Sequence, residues 1–260
     1  MRLHVVSDVH GHTEALARAA DGADALIVLG DLLEAVDYTD PSRGIMSRLY
    51  GAERTARWIE LRTAQRFDEA REFSRAMRAQ AAAERGMDPQ EMLVEAIRAD
   101  YRDIFAAMPA PAWCTYGNVD APWIWDEFVT DGIRVFDGTV AEIGGLRVGF
   151  VGGGVADAPS RYPYLQTEAE YSAKVAALGP VDILCSHIPP AVPELCYDTV
   201  ARRFERGSRA LLEAISAYSP RFVLFGHVHQ PLQARTRIGR TECVNVGHFR
   251  ETGTPYAVTL

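Results

Sequence analysis

The chain opens with the stretch Leu3-His4-Val5-Val6-Ser7-Asp8-Val9-His10, and the same design returns at Ala25-Leu26-Ile27-Val28-Leu29-Gly30-Asp31. Each stretch is a short apolar run that ends at a polar turn, which predicts a buried strand followed by a loop. Between them, residues Thr13–Ala20 carry a helical pattern. Two strands therefore deliver polar residues at their carboxyl ends, where the ligand sites of open α/β sheets gather.

The middle of the chain, residues 45–108, is rich in Ala, Arg, Glu and Met and predicts helices. Its apolar residues recur at helical spacings. They include Trp58, Leu61, Phe67, Phe73 and Met77. Gly86 breaks the pattern, and Asp88-Pro89 is typical of an N-cap followed by proline at the first helical position. A further helix is therefore expected from Met92 to Met108.

The second half of the chain changes to short apolar runs separated by Gly, Pro and Asp turns, which predict strands. These runs are Trp113–Tyr116, Val135–Phe136, Thr139–Ile143, Leu146–Val151, Val181–Cys185, Phe222–Phe225, Leu232–Thr236, Glu242–Val246 and Tyr256–Leu260. Helical patterns occur at Tyr171–Leu178 and Arg206–Tyr218. No internal repeat or Pro/Ser-rich linker divides the sequence. We therefore predict one α/β domain, residues 1–260, with a helical insertion at about residues 45–108.

The composition is that of a folded, acidic protein, with 48% hydrophobic residues, a formal net charge of −8 and a pI of about 5.4. A negative surface repels polyanions, so long nucleic acid is a poor partner, whereas a small anionic substrate is compatible. The N-terminus does not resemble a signal peptide, and no apolar stretch approaches the roughly 18 residues of a membrane helix. A cytoplasmic protein without membrane contact is expected. The four cysteines form no C-x-x-C pair and are interpreted as reduced packing residues.

Five short segments place oxygen or nitrogen ligands directly after apolar runs. They are Asp8-Val9-His10, Gly30-Asp31, Gly117-Asn118-Val119-Asp120, Ser186-His187 and Gly226-His227-Val228-His229. Imidazole, carboxylate and amide oxygen are ligands of borderline or hard divalent metals, and a carboxylate can bridge two ions. Residues two apart on an extended segment point the same way, so both members of the Asp-x-His and His-x-His pairs can reach one site.

Each segment on its own also has a structural explanation. Asp8 could cap a helix, His187 could be a turn residue before Pro189, and Gly117-Asn118 could be an ordinary turn. The coincidence of all five segments at strand ends favours a metal site, because four of the seven histidines fall within them.

In this order the segments resemble the motifs of the calcineurin-like metallophosphoesterase superfamily, which are Asp-x-His, Gly-Asp, Gly-Asn-His-Asp/Glu, a lone Gly/Ser-His and Gly-His-x-His. The resemblance covers nearly the whole chain. It implies an α/β (α+β) sandwich of two mixed β-sheets flanked by helices. It also implies two metal sites, one held by Asp8, His10 and His229, a second held by Asn118, His187 and His227, with Asp31 bridging both.

The resemblance implies that a metal-bound hydroxide hydrolyses a phosphate ester, while the two cations neutralise the phosphate oxygens. The ligands suit Mn, Fe or Zn, as two divalent ions or a mixed-valence pair. Asp31 and Asn118 are therefore expected to be catalytic as well as ligating. Asp120 could orient a ligand or the leaving-group region, or could only stabilise its own turn.

Val119 departs from the family pattern, since many relatives carry a histidine there that assists the leaving group. Valine cannot transfer a proton, so esters with poor leaving groups should suffer, and aryl esters or phosphodiesters should depend on it less. His12, two residues after His10, is the first candidate for a replacement acid, and His248 and Arg250 are the second. Each of these could instead be a surface residue.

Other features are weaker. Gly152-Gly153-Gly154 lacks a nucleotide-binding signature and is expected to form a tight loop near the metals. Arg161-Tyr162-Pro163-Tyr164 could line a substrate pocket or form an exposed loop. His4 is expected to be a core histidine. The helical insertion could be a cap over the metal cleft, or an arm that buries methionine and aromatic residues against a second copy of the chain in a homo-oligomer.

The sequence therefore predicts an enzyme that hydrolyses a small phosphodiester or nucleotide-like phosphoester. The alternatives are a phosphomonoesterase or protein phosphatase, a nuclease, and a non-catalytic scaffold on the same fold. A nuclease would need a basic groove that the acidic composition does not suggest. A scaffold would be expected to have lost metal ligands, and every ligand position of the motifs is filled.

Overall fold

The chain is described by a computed structural model, for residues 1–156 and 164–260. These residues form two compact units, one of Met1–Leu32 with Ile104–Leu260 and one of Leu33–Asp103. We call the first the sandwich unit and the second the helical unit. The expectation of one domain with an insertion at about residues 45–108 stays a prediction, and the helical unit begins and ends earlier in the sequence than that insertion.

The strands of the described residues are short, with two to six residues each. They are β1 (Arg2–Val6), β2 (Ala25–Val28), β3 (Ala112–Cys114), β4 (Ile133–Val135), β5 (Thr139–Ile143), β6 (Leu146–Val151), β7 (Gly154–Val155), β8 (Leu165–Gln166), β9 (Ile183–Ser186), β10 (Tyr197–Asp198), β11 (Arg203–Phe204), β12 (Phe222–Phe225), β13 (Arg235–Ile238), β14 (Thr241–Asn245) and β15 (Tyr256–Thr259). The helices are α1 (Thr13–Leu16), α2 (Gly44–Tyr50), α3 (Ala52–Thr63), α4 (Phe67–Arg85), α5 (Pro89–Ala107), α6 (Glu168–Leu178), α7 (Pro193–Cys196), α8 (Arg209–Tyr218) and α9 (Phe249–Thr252), with a 3₁₀ helix at Pro122–Glu127.

Two large sheets build the sandwich unit. The first has the strand order β15-β1-β2-β3-β4 and the second has the order β13-β14-β12-β9-β6-β5. Within the residues described, antiparallel pairing in these sheets is confined to the edges, where β15 pairs with β1, β13 with β14, and β5 with β6. All inner strands run parallel, so their carboxyl ends lie at the same edge of each sheet.

The two sheets pack face to face around one apolar core. Leu3 and Ile27 of the first sheet belong to the same cluster of buried side chains as Phe150, Ile183 and Leu224 of the second. Burial of a side chain of this size contributes about 1.5–3 kcal/mol to folding. The core thus joins the two layers and fixes the strand ends of one sheet relative to those of the other.

Helices cover the opposite face of the second sheet. Leu184 and Val223 pack on this outer face against Tyr171 of α6 and Leu211 of α8. Their neighbours along the strands point the other way, into the core between the sheets. Because both faces of this sheet are buried at its inner strands, β9 and β12 are predominantly apolar. The predicted fold of two mixed sheets flanked by helices is confirmed.

Helix α1 is shorter than the pattern up to Ala20 predicts. The amides of Arg18 and Ala19 bond the carbonyls of Ala15 and Leu16, which is the bonding of tight turns and not of an α-helix. The chain turns here because β2 must enter the sheet beside β1 and parallel to it.

The helical unit has an apolar core of its own, formed by α2, α3, α4 and the first part of α5. Met46, Tyr50, Met77, Ala81 and Met92 are buried in it. Three methionines that an oligomerisation arm would offer to a second copy are therefore buried within the unit, and Met87 is exposed. Oligomerisation through this unit stays a prediction. No helix in the described residues is long and apolar enough to cross a bilayer.

The boundary between α4 and α5 follows the sequence signals. Gly86 ends α4 with a φ of 64°, in the left-handed region that favours glycine. The Oδ1 of Asp88 accepts hydrogen bonds from the amides of Gln90 and Glu91 at 2.8 and 3.1 Å. The predicted helix break and N-cap are confirmed.

Candidate metal centre

The predicted ligands all follow the carboxyl ends of inner, parallel strands. In the first sheet, β1 leads to Asp8 and His10, β2 to Asp31, and β3 to Asn118; in the second sheet, β9 leads to His187 and β12 to His227 and His229. Open α/β sheets bind ligands at this edge. Because the two sheets are layers of one sandwich, the ligands from both can meet.

Four of these residues have an unusual backbone conformation. The φ angles are 57° at Asp8, 41° at His10, 50° at Asp31 and 69° at His227. Residues other than glycine adopt positive φ at a cost, and such residues cluster at functional sites where the surrounding structure holds them. The sharp turns that follow the strands therefore hold these side chains in position, and this conformation costs local strain energy.

The glycines of the motifs permit a close approach between loops. An added Cβ at Gly117 would lie 2.0 Å from Oδ1 of Asp31, and one at Gly226 would lie 2.0 Å from Oγ of Ser7 and 2.3 Å from Oδ2 of Asp8. These glycines are required by space, because the backbone passes directly against a ligand loop.

Two groups of ligand atoms lie close enough together to hold an ion. The ligand atoms of Asp8, His10 and Asp31 lie within 4.8 Å of one another, and so do those of His10, His229 and His248. Nε2 of His229 is 3.4 Å from Oδ1 of Asp8. His10 belongs to both groups, so the two sets are parts of one larger cluster.

A second set of donors surrounds Asp31 on the side of His187. Nε2 of His187 lies 3.0 Å from Oδ1 of Asn118 and 3.4 Å from Oδ2 of Asp31. The His227 ring packs edge-on against His187 with 5.2 Å between centroids. Nε2 of His227 is buried and has no hydrogen-bond partner among the described residues. Asp31 therefore lies beside both sets of donors.

The two buried carboxylates of the centre are held in the charged form. Burial by itself raises the pKa of Asp8, but the hydrogen bond and charge of His229 hold that pKa well below the usual range. Burial also raises the pKa of Asp31, and interactions with His187 outweigh it and lower the pKa to about 2. A neighbouring positive charge therefore stabilises both carboxylates.

The pKa values of the histidines are raised or lowered according to their contacts with the carboxylates. Burial lowers the pKa of His187 and His229, but the nearby Asp31 and Asp8 raise it overall, to about 9 for His187. Burial lowers the pKa of His227 to about 4, and the charge of His187 contributes. Burial likewise lowers the pKa of His248 to about 4, with a contribution from His229. The pKa values of His227 and His248 are thus lowered, whereas those of His187 and His229 are raised.

This arrangement fits divalent cations. A proton on His187 or a bound cation can supply the positive charge that the carboxylates demand, and a divalent ion supplies more of it. Nδ1 of His187 lies 2.9 Å from the carbonyl of Leu29 and must donate to it, which leaves Nε2 as the nitrogen that faces Asn118 and Asp31. A backbone carbonyl that fixes the ring in this way is a common partner of a ligating histidine.

Asp120 joins two ligand loops. Its Oδ1 accepts a hydrogen bond from the amide of Leu32 at 2.9 Å, and its Oδ2 accepts one from the amide of Gly117 at 2.8 Å. Burial and the charge of Asp31 raise its pKa to about 6. These contacts position the loops of Asp31 and Asn118. A direct role of Asp120 in catalysis stays a prediction.

Asn245, at the end of β14, was not singled out by the sequence as a site residue. Its Nδ2 donates to the carbonyls of Gly226 and Val228 at 3.3 and 2.9 Å, and its Oδ1 accepts from the amide of Gly247 at 2.9 Å. The side chain therefore ties the loop of His227 and His229 to the turn that follows β14. An asparagine within the apolar run Glu242–Val246 was the available signal.

His12 and Arg250 meet on the same side of the unit. Nδ1 of His12 lies 2.9 Å from the carbonyl of Arg250, and its ring packs against Phe249 with 6.4 Å between centroids. His12 is not among the clustered ligand atoms of the described residues. Its role as an acid, and that of Arg250, stay predictions. His4 bonds the carbonyl of Ala19 at 2.8 Å through Nδ1, as expected of a core histidine.

The glycine loop after β6 lies beside the centre. An added Cβ at Gly154 would be 3.1 Å from Cβ of Asn118, and the amide of Gly154 donates to the carbonyl of Tyr164 at 2.8 Å. The Tyr164 ring stacks on Trp123 with 6.0 Å between centroids and 15° between planes. The expected tight loop is present. Arg161-Tyr162-Pro163, suggested as a pocket lining, lie outside the described residues.

The motif order and this geometry agree with a comparison against protein-family models. The model of the calcineurin-like phosphoesterases matches residues 1–231. The chain belongs to the calcineurin-like phosphoesterase family. No curated protein sequence matches the chain.

Solved structures share the fold of this calcineurin-like phosphoesterase at low sequence identity. One crystal structure covers 96% of this chain and 91% of its own chain, with a TM-score of 0.58 and 15% identity. The crystal structure of TT1561 of Thermus thermophilus covers 99% of this chain and 98% of its own, with a TM-score of 0.54 and 17% identity. At such identities the similarity shows the fold alone. The clustered carboxylates and imidazoles are potential metal ligands of this calcineurin-like phosphoesterase.

Proposed function

We propose that the chain is a hydrolase that uses two metal ions to cleave a small phosphodiester or nucleotide-like phosphoester. The proposed ligands are Asp8, His10 and His229 for one ion, Asn118, His187 and His227 for the other, and Asp31 for both. The position of Asp31 carries the proposal. Its ligand atom lies within 4.8 Å of those of Asp8 and His10, and its Oδ2 lies 3.4 Å from Nε2 of His187.

The residues of the chain have distinct tasks in this proposal. Two ions, as Mn, Fe, Zn or a mixed pair, would activate a water and neutralise the phosphate oxygens when bound. Asp31 supplies a charged carboxylate at the shared position. Asn118 presents its amide oxygen beside Nε2 of His187, and the positioning contacts of Asp120 keep the loops of Asp31 and Asn118 in register.

Val119 supports a preference for diesters and aryl esters. Its amide donates to Oδ1 of Asp31 at 3.0 Å, so residue 119 stands directly beside the proposed bridging carboxylate. A valine side chain in this place cannot protonate a leaving group. Substrates whose leaving group needs no proton are therefore favoured.

The stacked rings of Trp123 and Tyr164 support an aromatic group in the substrate. They are linked to Asn118 through Gly154, and the side chain of Trp123 is 50% exposed. A large exposed aromatic surface next to a polar site can stack on a base or an aryl ring. This observation favours nucleotide-like esters over alkyl phosphates.

The proposed activity is tested with bis(p-nitrophenyl) phosphate and p-nitrophenyl phosphate. We expect turnover by metal-stripped protein to return with Mn and to be faster for the diester, which is the proposed substrate class. The measurement is p-nitrophenolate release at matched substrate concentrations, with metal-free protein as the control.

The alternatives give different results in the same assay. Preference for the monoester would support a phosphomonoesterase, and hydrolysis of a phosphopeptide in addition would support a protein phosphatase. Failure to hydrolyse any of these esters, with two ions bound, would support a non-catalytic scaffold.

His12 is proposed as the acid that replaces the missing histidine. Its Nδ1–H is held by the carbonyl of Arg250, which leaves Nε2 as the nitrogen that can donate to a leaving group. We expect His12→Ala to lower the rate for a phenyl phosphodiester by about a hundredfold and to leave the matched p-nitrophenyl diester within about twofold. Equal rates for wild type and variant on both esters would remove His12 from the mechanism.

The net charge of −8 supports a small phosphoester as the substrate over long nucleic acid. The cytoplasmic location inferred from the sequence remains a proposal. We also propose that the helical unit is an insertion into a single catalytic domain.

A further inference from the structure

His248 lies within the metal centre although no motif of the family placed it there. Its ligand nitrogen is within 4.8 Å of those of His10 and His229. Its ring stacks on His229 with 3.8 Å between centroids and 17° between planes, and meets His10 edge-on at 5.7 Å. Residue 248 lies beyond the segment, residues 1–231, that the family model matches.

The chain around His248 is fixed by backbone contacts. The amides of Phe249 and Arg250 donate to the carbonyls of Ser7 and Asp8 at 3.1 and 3.0 Å. These contacts dock the start of α9 on the loop that carries Asp8. On the other side, the Asn245 side chain binds Gly247, whose φ of 94° forms the turn into His248. The imidazole is thus held in place from both directions.

The environment of Nε2 of His248 indicates that this atom binds a ligand. Nε2 of His248 is buried and has no hydrogen-bond partner in the described part of the chain. Buried polar atoms are almost always paired, and an exception requires an explanation. The parallel strand β14 delivers His248 in the same way that β12 delivers His227 and His229. An ion at the centre would give this nitrogen its partner.

We infer that His248 is a further ligand of the ion held by Asp8, His10 and His229, an inference that rests on the proposed two-metal function. Metal–nitrogen bonds are about 2.0–2.1 Å long, so ligand atoms around one ion lie about 3–4 Å apart. The ligand atoms of His10, His229 and His248 lie at most 4.8 Å apart. Small side-chain rotations would bring these separations into the range of about 3–4 Å.

A third imidazole at this ion has a consequence for metal choice. Imidazole suits borderline ions such as Zn, Fe and Co, whereas Mg and Ca prefer oxygen ligands. We therefore expect the site with His248 to select borderline ions more strongly than the site with Asn118, which has an amide oxygen in its set.

The test uses Co²⁺ and the full-length, metal-stripped chain. We expect wild type to bind two Co²⁺ ions by calorimetric titration, and His248→Ala to bind one of them about a hundredfold more weakly while the other is unchanged. His248→Cys should give a near-ultraviolet thiolate-to-cobalt absorption band, because thiolate binds the ion directly. Circular dichroism checks that both variants fold.

The matched control is His12, a half-buried histidine near the same loop with no ligand assignment. His12→Ala should bind both ions as wild type does, and His12→Cys should give no thiolate band. Wild type should give none either, since its four cysteines are free and buried. Unchanged affinities in His248→Ala together with no band in His248→Cys would overturn this inference alone. Failure of wild type to bind two ions would overturn the proposed function as well.

Discussion

Replacement of Asp31 by asparagine is expected to lower kcat/KM at least about a thousandfold while the protein stays folded. The change removes one negative charge from the position that we propose both ions share. Asparagine has the shape of aspartate, tolerates the φ of 50° at this residue, and keeps an oxygen for the amide of Val119. The lost charge is therefore the main difference between the two proteins.

The measurement combines kcat/KM for bis(p-nitrophenyl) phosphate with metal content and thermal unfolding. Asp182→Asn is the matched control. Asp182 precedes the amino end of β9, whereas His187 follows the carboxyl end of the same strand. Oδ2 of Asp182 accepts a hydrogen bond from the amide of Arg147 at 2.8 Å. This control should keep two ions and wild-type kcat/KM. An Asp31→Asn variant with wild-type kcat/KM would show that Asp31 does not bridge the ions.

Gly117→Ala is expected to remove metal binding and activity by filling the space between two ligand loops. The new Cβ would lie 2.0 Å from Oδ1 of Asp31 and 2.4 Å from its backbone nitrogen. Backbone cannot yield as a side chain can, so the loops of Asp31 and Asn118 must move apart. Overpacking of this kind costs about 1–3 kcal/mol in the free energy of unfolding, and the displaced carboxylate leaves the shared position.

Gly149→Ala is the control for this change. Gly149 lies within β6, and an added Cβ there would meet Cδ1 of Leu178 at 2.9 Å, at the end of a flexible side chain. We expect this variant to keep both ions and to retain kcat/KM within about threefold. The metal content and kcat/KM of the two variants, measured side by side, decide the matter. Two-ion binding by Gly117→Ala at wild-type affinity would contradict the expectation.

Much of the fold and of the centre could be predicted because the signals are local. An apolar run that ends at Asp8 or at Asp31 predicts a buried strand and a polar turn without knowledge of the rest of the chain. Parallel strands then bring their carboxyl ends to one edge by a general rule. The convergence of these residues with His187 therefore needed no information on distant contacts.

The remaining features depend on contacts that a sequence does not display. The sequence suggests His248 only as a replacement acid, and its place beside His229 depends on the docking of α9 on the Ser7 loop. Asn245 and Asp120 likewise gain their roles from loops far away in the sequence. Helices α7 and α9 have four residues each, too few for a periodic pattern to predict them.

The order in which the chain assembles follows from the span of the centre along the sequence. The imidazole of His12 bonds the carbonyl of Arg250 across 238 positions, and β1 pairs with β15 near the other end of the chain. Contacts this distant form late, because a very long loop has to close first. A growing or half-folded chain thus has no complete ion-binding pocket. We therefore expect ions to bind at the proposed centre only once these distant contacts have formed.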